Sequence, residues 1–528
     1  MSSPFRYSKK LAECGSKHLA LYLAIREAIT EGNLPSGEKL PSTRNLATLY
    51  GLSRGSVSVA YEMLAAEGFV QTGVGQGTFV AGWDDDEMMM PSSPNVEQLS
   101  VAPAAPILST WGRRLLDLQP SYQSTNQKAI VSLNKTNQDS DNAALQQDAD
   151  VSFVPEGVGT AWFPWMEWKA EVAQHWKSIG SAWQKSDYPT EGSLSLRQSI
   201  ASRLRSERGI VCDAEDIVVT SGSMQAIALL TQLLLEKGKT AVIENPSYTG
   251  IQRAVNITGA KVIAEEVDSS GIIPRDWDAQ LLFVTPTRQF PTGAVLSYER
   301  RRALLSWASR RNAWIIEDDY DSDFRWGGRP IEPLKALDRE GRVVYVGTFS
   351  RSMSVGVRIG YAVIPRELIS PFIMAKQLYD PYPAGIAEQQ ALAGWMAEGG
   401  FDRYMRRMRR VFGKLEGKLR QAINYYLEGL FEVLPSDAGL HVYVRWNKSS
   451  EDYMMLVQEC AKSGVTWWDG AIYVVQPSES SVPSALFGFT HLNEDLIDKG
   501  IRKIRQAAQS IGLIDSDQMK GESVQCLI

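Results

Sequence analysis

Histidine and cysteine are scarce in this chain: its 528 residues hold four of each. The cysteines (Cys14, Cys212, Cys460, Cys526) stand far apart and without metal-ligand spacing. That excludes a secreted-type disulfide framework and points to a reducing compartment. The histidines (His18, His175, His441, His491) form no HExxH or similar cluster, so a zinc-hydrolase signature is missing. No uninterrupted apolar run reaches the roughly 18 residues of a membrane-spanning helix, and no segment reads as a signal peptide. A soluble cytoplasmic protein without a membrane partner is expected. Excess positive charge is lacking too: 55 Lys and Arg against 61 Asp and Glu leave a net charge of -6. With no global field to attract nucleic acid, any DNA binding must be local.

What is present divides into stretches. The length exceeds what one core supports, so two or more domains are expected. Over residues 1–81 basic residues outnumber acidic ones, eight to six, against the trend of the whole chain. Apolar positions 21, 25, 28 and 29 mark a helix over 19–30, and Gly32, Pro35 and Gly37 break it. Ser42 is placed to cap a helix over 43–50, with Leu46, Ala47 and Leu49 expected inward. Ser53 is placed to cap another over 54–67, with Val57, Tyr61 and Leu64 inward. Phe69-Val70 and Thr78-Phe79-Val80 flank Gly73, Gly75 and Gly77, the pattern of a glycine-tipped hairpin.

This segment resembles GntR-type winged-helix DNA-binding domains, through Leu34-Pro35-Ser36-Gly37, Leu40-Pro41-Ser42-Thr43-Arg44, Leu52-Ser53-Arg54 and Gly75-x-Gly77-Thr78-Phe79-Val80. The resemblance implies a double-stranded DNA operator as partner. A recognition helix needs small and long polar residues at its N-terminal end, where it enters the major groove. Ser53, Arg54, Gly55, Ser56 and Ser58 supply them; Arg44 lies one helix earlier, where the resemblance implies contact with backbone or bases, and Gln76 and Thr78 are expected to place the wing on the minor groove or the phosphates. Residues 82–150 are rich in Ser, Pro, Ala, Asn and Gln and read as a largely flexible linker. Such a coil spans roughly 45 Å. Within it, Leu108 to Leu118 carries enough apolar residues to dock on a neighbour.

From 151 to 513 apolar strands alternate with helical patterns, at 217–220, 240–243, 261–266, 281–285, 314–317, 343–346 and 359–364. That order argues an α/β fold with a mainly parallel sheet, whose ligands sit at the carboxyl ends of the strands. A helical stretch over 388–412, with the basic run Arg403 to Arg410, and strands over 433–444 and 471–475 suggest a small C-terminal α+β subdomain. Residues 514–528 form a polar tail.

The stretch Gly347-Thr348-Phe349-Ser350-Arg351, with Arg358, Gly360 and Tyr361 beyond it, resembles the lysine loop of fold-type I aminotransferases in the form seen in MocR/GabR-type transcription factors. Phe163-Pro164, Trp168, Tyr188, Gly192, Leu196-Arg197 and Arg208-Gly209 fit the same family. The resemblance implies a homodimer that responds to a small-molecule effector, and pyridoxal 5'-phosphate (PLP) as cofactor. It implies a phosphate cup of Ser223, Met224 (through its backbone), Thr348, Ser350 and Arg358. Asp318 would meet the pyridine nitrogen, Tyr320 and Gln289 the phenolic oxygen, and Tyr248 the ring face. The family's lysine, which holds the cofactor covalently, is Arg351 here. Guanidinium stays protonated and is no nucleophile. PLP is then bound without a covalent bond, or it is lost and the pocket senses another anion or an amino acid, or nothing. Arg288 stands where histidine is usual, and no arginine for a substrate carboxylate lies near Leu486 to Phe489. The alternative function, a PLP-dependent aminotransferase carrying a DNA-binding head, needs a reactive lysine, and Lys335 and Lys376 lie off the loop.

Overall fold

The computed structural model describes residues 5–73, 76–81, 108–118, 150–159, 161–179, 189–327, 331–477 and 482–515. Gly75, Tyr188, most of the expected linker and the tail beyond 515 lie outside the described residues. The described residues fall into two compact units, within Met1–Pro106 and Ile107–Ile528.

The first unit is a winged helix. Its helices are α1 (Tyr7–Cys14), α2 (Lys17–Thr30), α3 (Thr43–Tyr50) and α4 (Arg54–Ala66). Its hairpin pairs β1 (Val70–Gly73) with β2 (Gly77–Val80), antiparallel. The caps act as read: Ser42 Oγ accepts from Asn45 N at 3.2 Å and Ser53 Oγ from Ser56 N at 3.1 Å. Between them Gly51 turns the chain at φ 62°, a left-handed angle that glycine adopts without cost. Leu21, Ile25, Leu46, Val57 and Leu64 are fully buried, each contributing roughly 1.5–3 kcal/mol. Tyr61 donates to Pro41 O at 2.6 Å and ties α4 to the turn before α3. Two expectations fail. Leu49 is 54% exposed, because Leu46 and Ala47 already fill the one contact face of this short helix. And α1, unanticipated, sets Tyr7 against Tyr50 with ring centroids 5.0 Å apart.

The second unit is built on an eight-stranded mixed sheet. After β3 (Val151–Ser152) come β4 (Ile217–Thr220), β5 (Thr240–Asn245), β6 (Lys261–Asp268), β7 (Gly271–Ile272), β8 (Leu281–Val284), β9 (Trp314–Asp319), β10 (Val343–Thr348) and β11 (Gly360–Val363). Their spatial order is β4-β11-β10-β9-β8-β5-β6-β7. The central pairs from β10 to β6 are parallel, and β4, β11 and β7 run antiparallel to their neighbours. Period-two alternation feeds both faces: Leu281 and Phe283 pack with Ile227, Leu230 and Phe372, while Leu282 and Val284 pack with Leu304 and Trp307 on the other side.

A smaller sheet orders β12 (Phe431–Val433), β13 (His441–Trp446), β16 (Ser484–Gly488) and β15 (Trp468–Asp469), while β14 (Val465–Thr466) pairs with β3. The expected strand over 471–475 is instead a 3-10 turn, Gly470–Tyr473. The long helical stretch is two helices, Ile386–Ala397 and Gly400–Tyr426, parted at Gly399 (φ 69°). The basic run rides on the second with Tyr404, Met405 and Met408 buried, and Arg409 Nε donates to Asp323 O at 2.6 Å.

Residues 110–117 form a helix that packs on helix Thr249–Thr258. Arg114 Nη1 donates to Ile257 O at 3.1 Å, and a Cβ on Gly259 would lie 2.5 Å from its guanidinium. A cation at a helix C-terminus meets carbonyls that have no partner within the helix.

Candidate functional site

In the first unit, Arg44, Ser53, Arg54, Gly55 and Gln76 are exposed. The side chains of Arg44 and Arg54 make no hydrogen bond or ion pair among the described residues. The serines are occupied locally: Ser53 Oγ and Ser56 Oγ lie 2.9 Å apart at the helix cap, and Ser58 donates to Glu62 at 3.1 Å. Thr78 is a correction. It is 8% exposed, pairs with Thr72 across the hairpin, and its carbonyl accepts from Leu40 N at 2.8 Å. Its side chain packs the wing and is not presented to a phosphate.

In the second unit the informative residues converge where the parallel strands end. Register sets Asp318 beside Val346 and Asp319 beside Gly347; Thr348 faces Gly360, which faces Thr220. Helix Ser223–Leu234 starts at this edge. Gly360 must be glycine, since a Cβ there would lie 2.6 Å from the Gly222 carbonyl carbon and 2.8 Å from Ser223 N. Gly222, at φ 86°, would meet the Arg358 guanidinium at 3.0 Å. Arg358, itself at φ 53°, donates to Ser221 O at 2.6 Å. The backbone amides of a helix start, an arginine and the hydroxyls of Thr348 and Ser350 thus gather at one edge, the donor set of an anion site. Met224 turns its sulfur toward Gly250 and Tyr248, which leaves only its backbone for an anion.

A cavity of about 170 Å³ lies beside this edge. Its walls are Pro155, Tyr248, Phe290, His441, Trp468 and Leu486, and its charged or polar lining is Asp318, Tyr320 and Arg351. Burial, then the neighbouring carboxylates Asp319, Asp321 and Glu244, push Asp318 up to about 7, offset by Arg351. Burial likewise pushes Glu244 and Glu317 up to about 7. Glu244 accepts from Thr285 Oγ1 at 2.6 Å, and Glu317 from Leu334 N at 2.8 Å and Lys335 N at 2.7 Å. Arg351 makes no hydrogen bond or ion pair among the described residues.

Arg288 is fully committed elsewhere. It donates to Tyr320 Oη at 2.6 Å, Ala438 O at 3.0 Å, His441 O at 3.0 Å and Asp321 Oδ2 at 3.3 Å. Burial and this guanidinium hold His441 well below its ordinary range. Gln289 departs from expectation. Its amide donates to Pro246 O at 2.9 Å and Glu244 at 3.2 Å and accepts from Thr292 Oγ1 at 2.7 Å. Its side chain braces the loop and does not line the cavity. Lys335 donates to Val343 O at 2.7 Å, and the buried Lys376 pairs with Asp380 at 2.7 Å; neither lines the cavity.

Among the buried polar atoms of the described residues that lack a partner are Ser350 Oγ at the anion edge and, on the cavity lining, Asp318 Oδ1 and His441 Nδ1. Buried polar atoms are nearly always bonded. Ser350 Oγ beside an anion cradle and Asp318 Oδ1 on an aromatic-walled cavity fit a group with a phosphate and a ring nitrogen. Trp468 and His441 escaped the sequence reading. They come from the small sheet, far along the chain from Asp318, and carry no local motif.

Fold and site together define a winged-helix head joined to an aminotransferase-type body. Residues 167–504 match the aminotransferase class I and II family, and residues 17–80 the gntR family of bacterial regulatory proteins. A Rhizobium meliloti protein named "Probable rhizopine catabolism regulatory protein MocR" is 30% identical over 495 residues, spanning 93% of each chain. The HTH-type pyridoxine biosynthesis transcriptional regulator PdxR of Corynebacterium glutamicum is 29% identical over 492 residues, spanning 92% of this chain and 94% of its own. An archaeal alanine:glyoxylate aminotransferase superposes at a TM-score of 0.63 with 25% identity, over 76% of this chain and 98% of its own. The chain belongs to the MocR-type family, in which a GntR-type head is fused to an aminotransferase class I/II body.

Proposed function

We propose that this protein is a DNA-binding transcriptional regulator that acts as a homodimer, with the aminotransferase-type body serving as dimeriser and small-molecule sensor. The observation that carries the reading is the exposed Arg44 at the start of α3 and Arg54 at the start of α4, both unpaired among the described residues, in a chain whose body has no lysine on its anion loop. Arg54, Gly55 and Ser56 start α4 and would enter the major groove, with Arg44 and Gln76 on the backbone. The direct test is a fluorescence-anisotropy titration against fragments of the adjoining genomic DNA. Absence of sequence-dependent binding overturns the reading.

The sensor ligand is a PLP-type molecule held without a covalent bond. Ser223, Met224 (backbone), Thr348, Ser350 and Arg358 hold its phosphate, Asp318 its ring nitrogen, and Tyr248 a ring face; Tyr320, braced by Arg288, meets the phenolic oxygen. When bound, PLP supplies an electron sink, but Arg351 offers no amine to engage it, and Lys335 and Lys376 are bonded elsewhere. The ligand is therefore an effector and not a reagent, which disfavours the aminotransferase alternative. Absorbance spectra of the purified protein with and without added PLP, before and after borohydride, test this. A borohydride-stable adduct on any pocket lysine, or transaminase turnover, would defeat it. The two units and the segment between them are proposed to work as head, tether and sensor, with dimerisation through residues 151–513. Sedimentation of that segment as a stable monomer at micromolar concentration would count against it.

A further inference from the structure

The cavity is lined by the Arg351 guanidinium and the Asp318 carboxyl, which make no ion pair within 4 Å and no hydrogen bond among the described residues, although Arg351 offsets the rise in the carboxyls of Asp318 and Asp321. Of its remaining walls, Pro155, Phe290 and Leu486 are apolar, and Tyr248, Tyr320 and Trp468 carry neutral donors but no positive charge. Among the described residues of the cavity lining no second free cation competes: Arg288 is bonded to Tyr320, Ala438, His441 and Asp321, and burial with that guanidinium disfavours the charged form of His441. The half-buried Arg351 guanidinium has no hydrogen bond to hold it, and its planar fork matches a carboxylate through two parallel bonds.

We propose that Arg351 makes this cavity select among vitamin B6 phosphates by the charge on the ring's 4-substituent, favouring a carboxylate and rejecting an ammonium. The inference rests on the preceding reading that the ligand is a PLP-type ring with its phosphate on the Ser350 edge. Residue 351 stands where the family's lysine meets the 4-substituent. A carboxylate there satisfies the guanidinium; the protonated amine of pyridoxamine 5'-phosphate places like charges together in a poorly screened site. Neutral 4-substituents, as in pyridoxine 5'-phosphate, fall between.

The test uses the full-length protein in calorimetric titrations with four probes: 4-pyridoxic acid 5'-phosphate, pyridoxine 5'-phosphate, PLP and pyridoxamine 5'-phosphate. The expected order runs from the acid, tightest, to the amine, weakest, with at least about tenfold between them. Arg351→Gln should collapse that span to about threefold or less while pyridoxine 5'-phosphate still binds. Because the order in the unmutated protein is itself the test, the outcome does not depend on the variant folding. Equal binding of acid and amine overturns the selectivity and leaves the cofactor reading standing, as does an order that survives in Arg351→Gln. Binding of none of the four overturns both.

Discussion

Arg288 Nη1 donates to the Tyr320 phenol at 2.6 Å, and the same guanidinium lies 3.3 Å from the buried Asp321. One side chain thus braces a cavity residue and neutralises a carboxylate that water does not reach. Arg288→Ala strands Asp321 without its cation and should cost roughly 3–5 kcal/mol, because breaking a buried pair leaves the other charge uncompensated. Urea denaturation checks it. A loss under about 1 kcal/mol would mean that Asp321 takes up a proton instead.

Arg44→Ala and Arg54→Ala should each weaken operator binding, by roughly 1–3 kcal/mol where the side chain reads a base edge. The head should melt unchanged, since both side chains are exposed and unpaired. Affinity should fall steeply with salt. Anisotropy titrations at two salt concentrations measure both effects; a double variant that binds as tightly as the parent refutes the assignment.

Arg351→Lys should gain a borohydride-stable PLP adduct that the unmutated protein lacks. Burial lets an amine lose its proton, which a guanidinium does not do. Mass spectrometry after reduction locates the adduct. If none forms, the anion edge around Ser350 and Arg358 does not hold the phosphate.

Glu244, Glu317 and Asp318 have folded pKa values raised to about 7. Raised carboxyls hold protons in the folded state that the unfolded chain gives up. Their contribution is therefore fully present below the unfolded value of about 4 and lost as pH rises through about 7. Body stability should decline between about pH 4 and 7 and level off above. Glu244→Gln should remove part of that slope, on the order of 2–3 kcal/mol across the range. Thermal melts in a pH series read it, and an unchanged slope in the variant rejects the cause. Asp323, held down to about 2 by Arg203, Arg208 and Arg409 despite its burial, acts in the opposite direction, and its contribution is lost only as pH falls from about 4 toward 2.

Arg114→Ala should release helix 110–117 from the end of helix Thr249–Thr258. The expected cost is about 1 kcal/mol, the worth of one hydrogen bond at a helix terminus. Amide exchange should quicken over residues 110–117 and leave the central strands unchanged. Exchange that stays slow would show that Arg114 does not anchor the helix.

The sequence alone determined the elements that local chemistry dictates. Caps at Ser42 and Ser53, the break at Gly51 and the apolar strands 217–220 and 281–284 were legible because propensity, capping and two-residue alternation act over a few positions. The convergence of Ser223, Asp318, Thr348, Ser350 and Arg358 was implied by the resemblance to the aminotransferase lysine loop, and strand order agrees with it, since ligands collect where parallel strands end. Tertiary structure decided the rest. Thr78 and Gln289 carry polar side chains within family motifs, yet the fold packs one into the wing strand and spends the other on Pro246, Glu244 and Thr292. Leu49 fell outward because Leu46 and Ala47 had filled the contact face. Trp468 and His441 reach the cavity from the small sheet, and Arg114 reaches a helix terminus 143 residues away. Such contacts depend on which surfaces packing brings together, a property of the whole fold that no local window of residues carries.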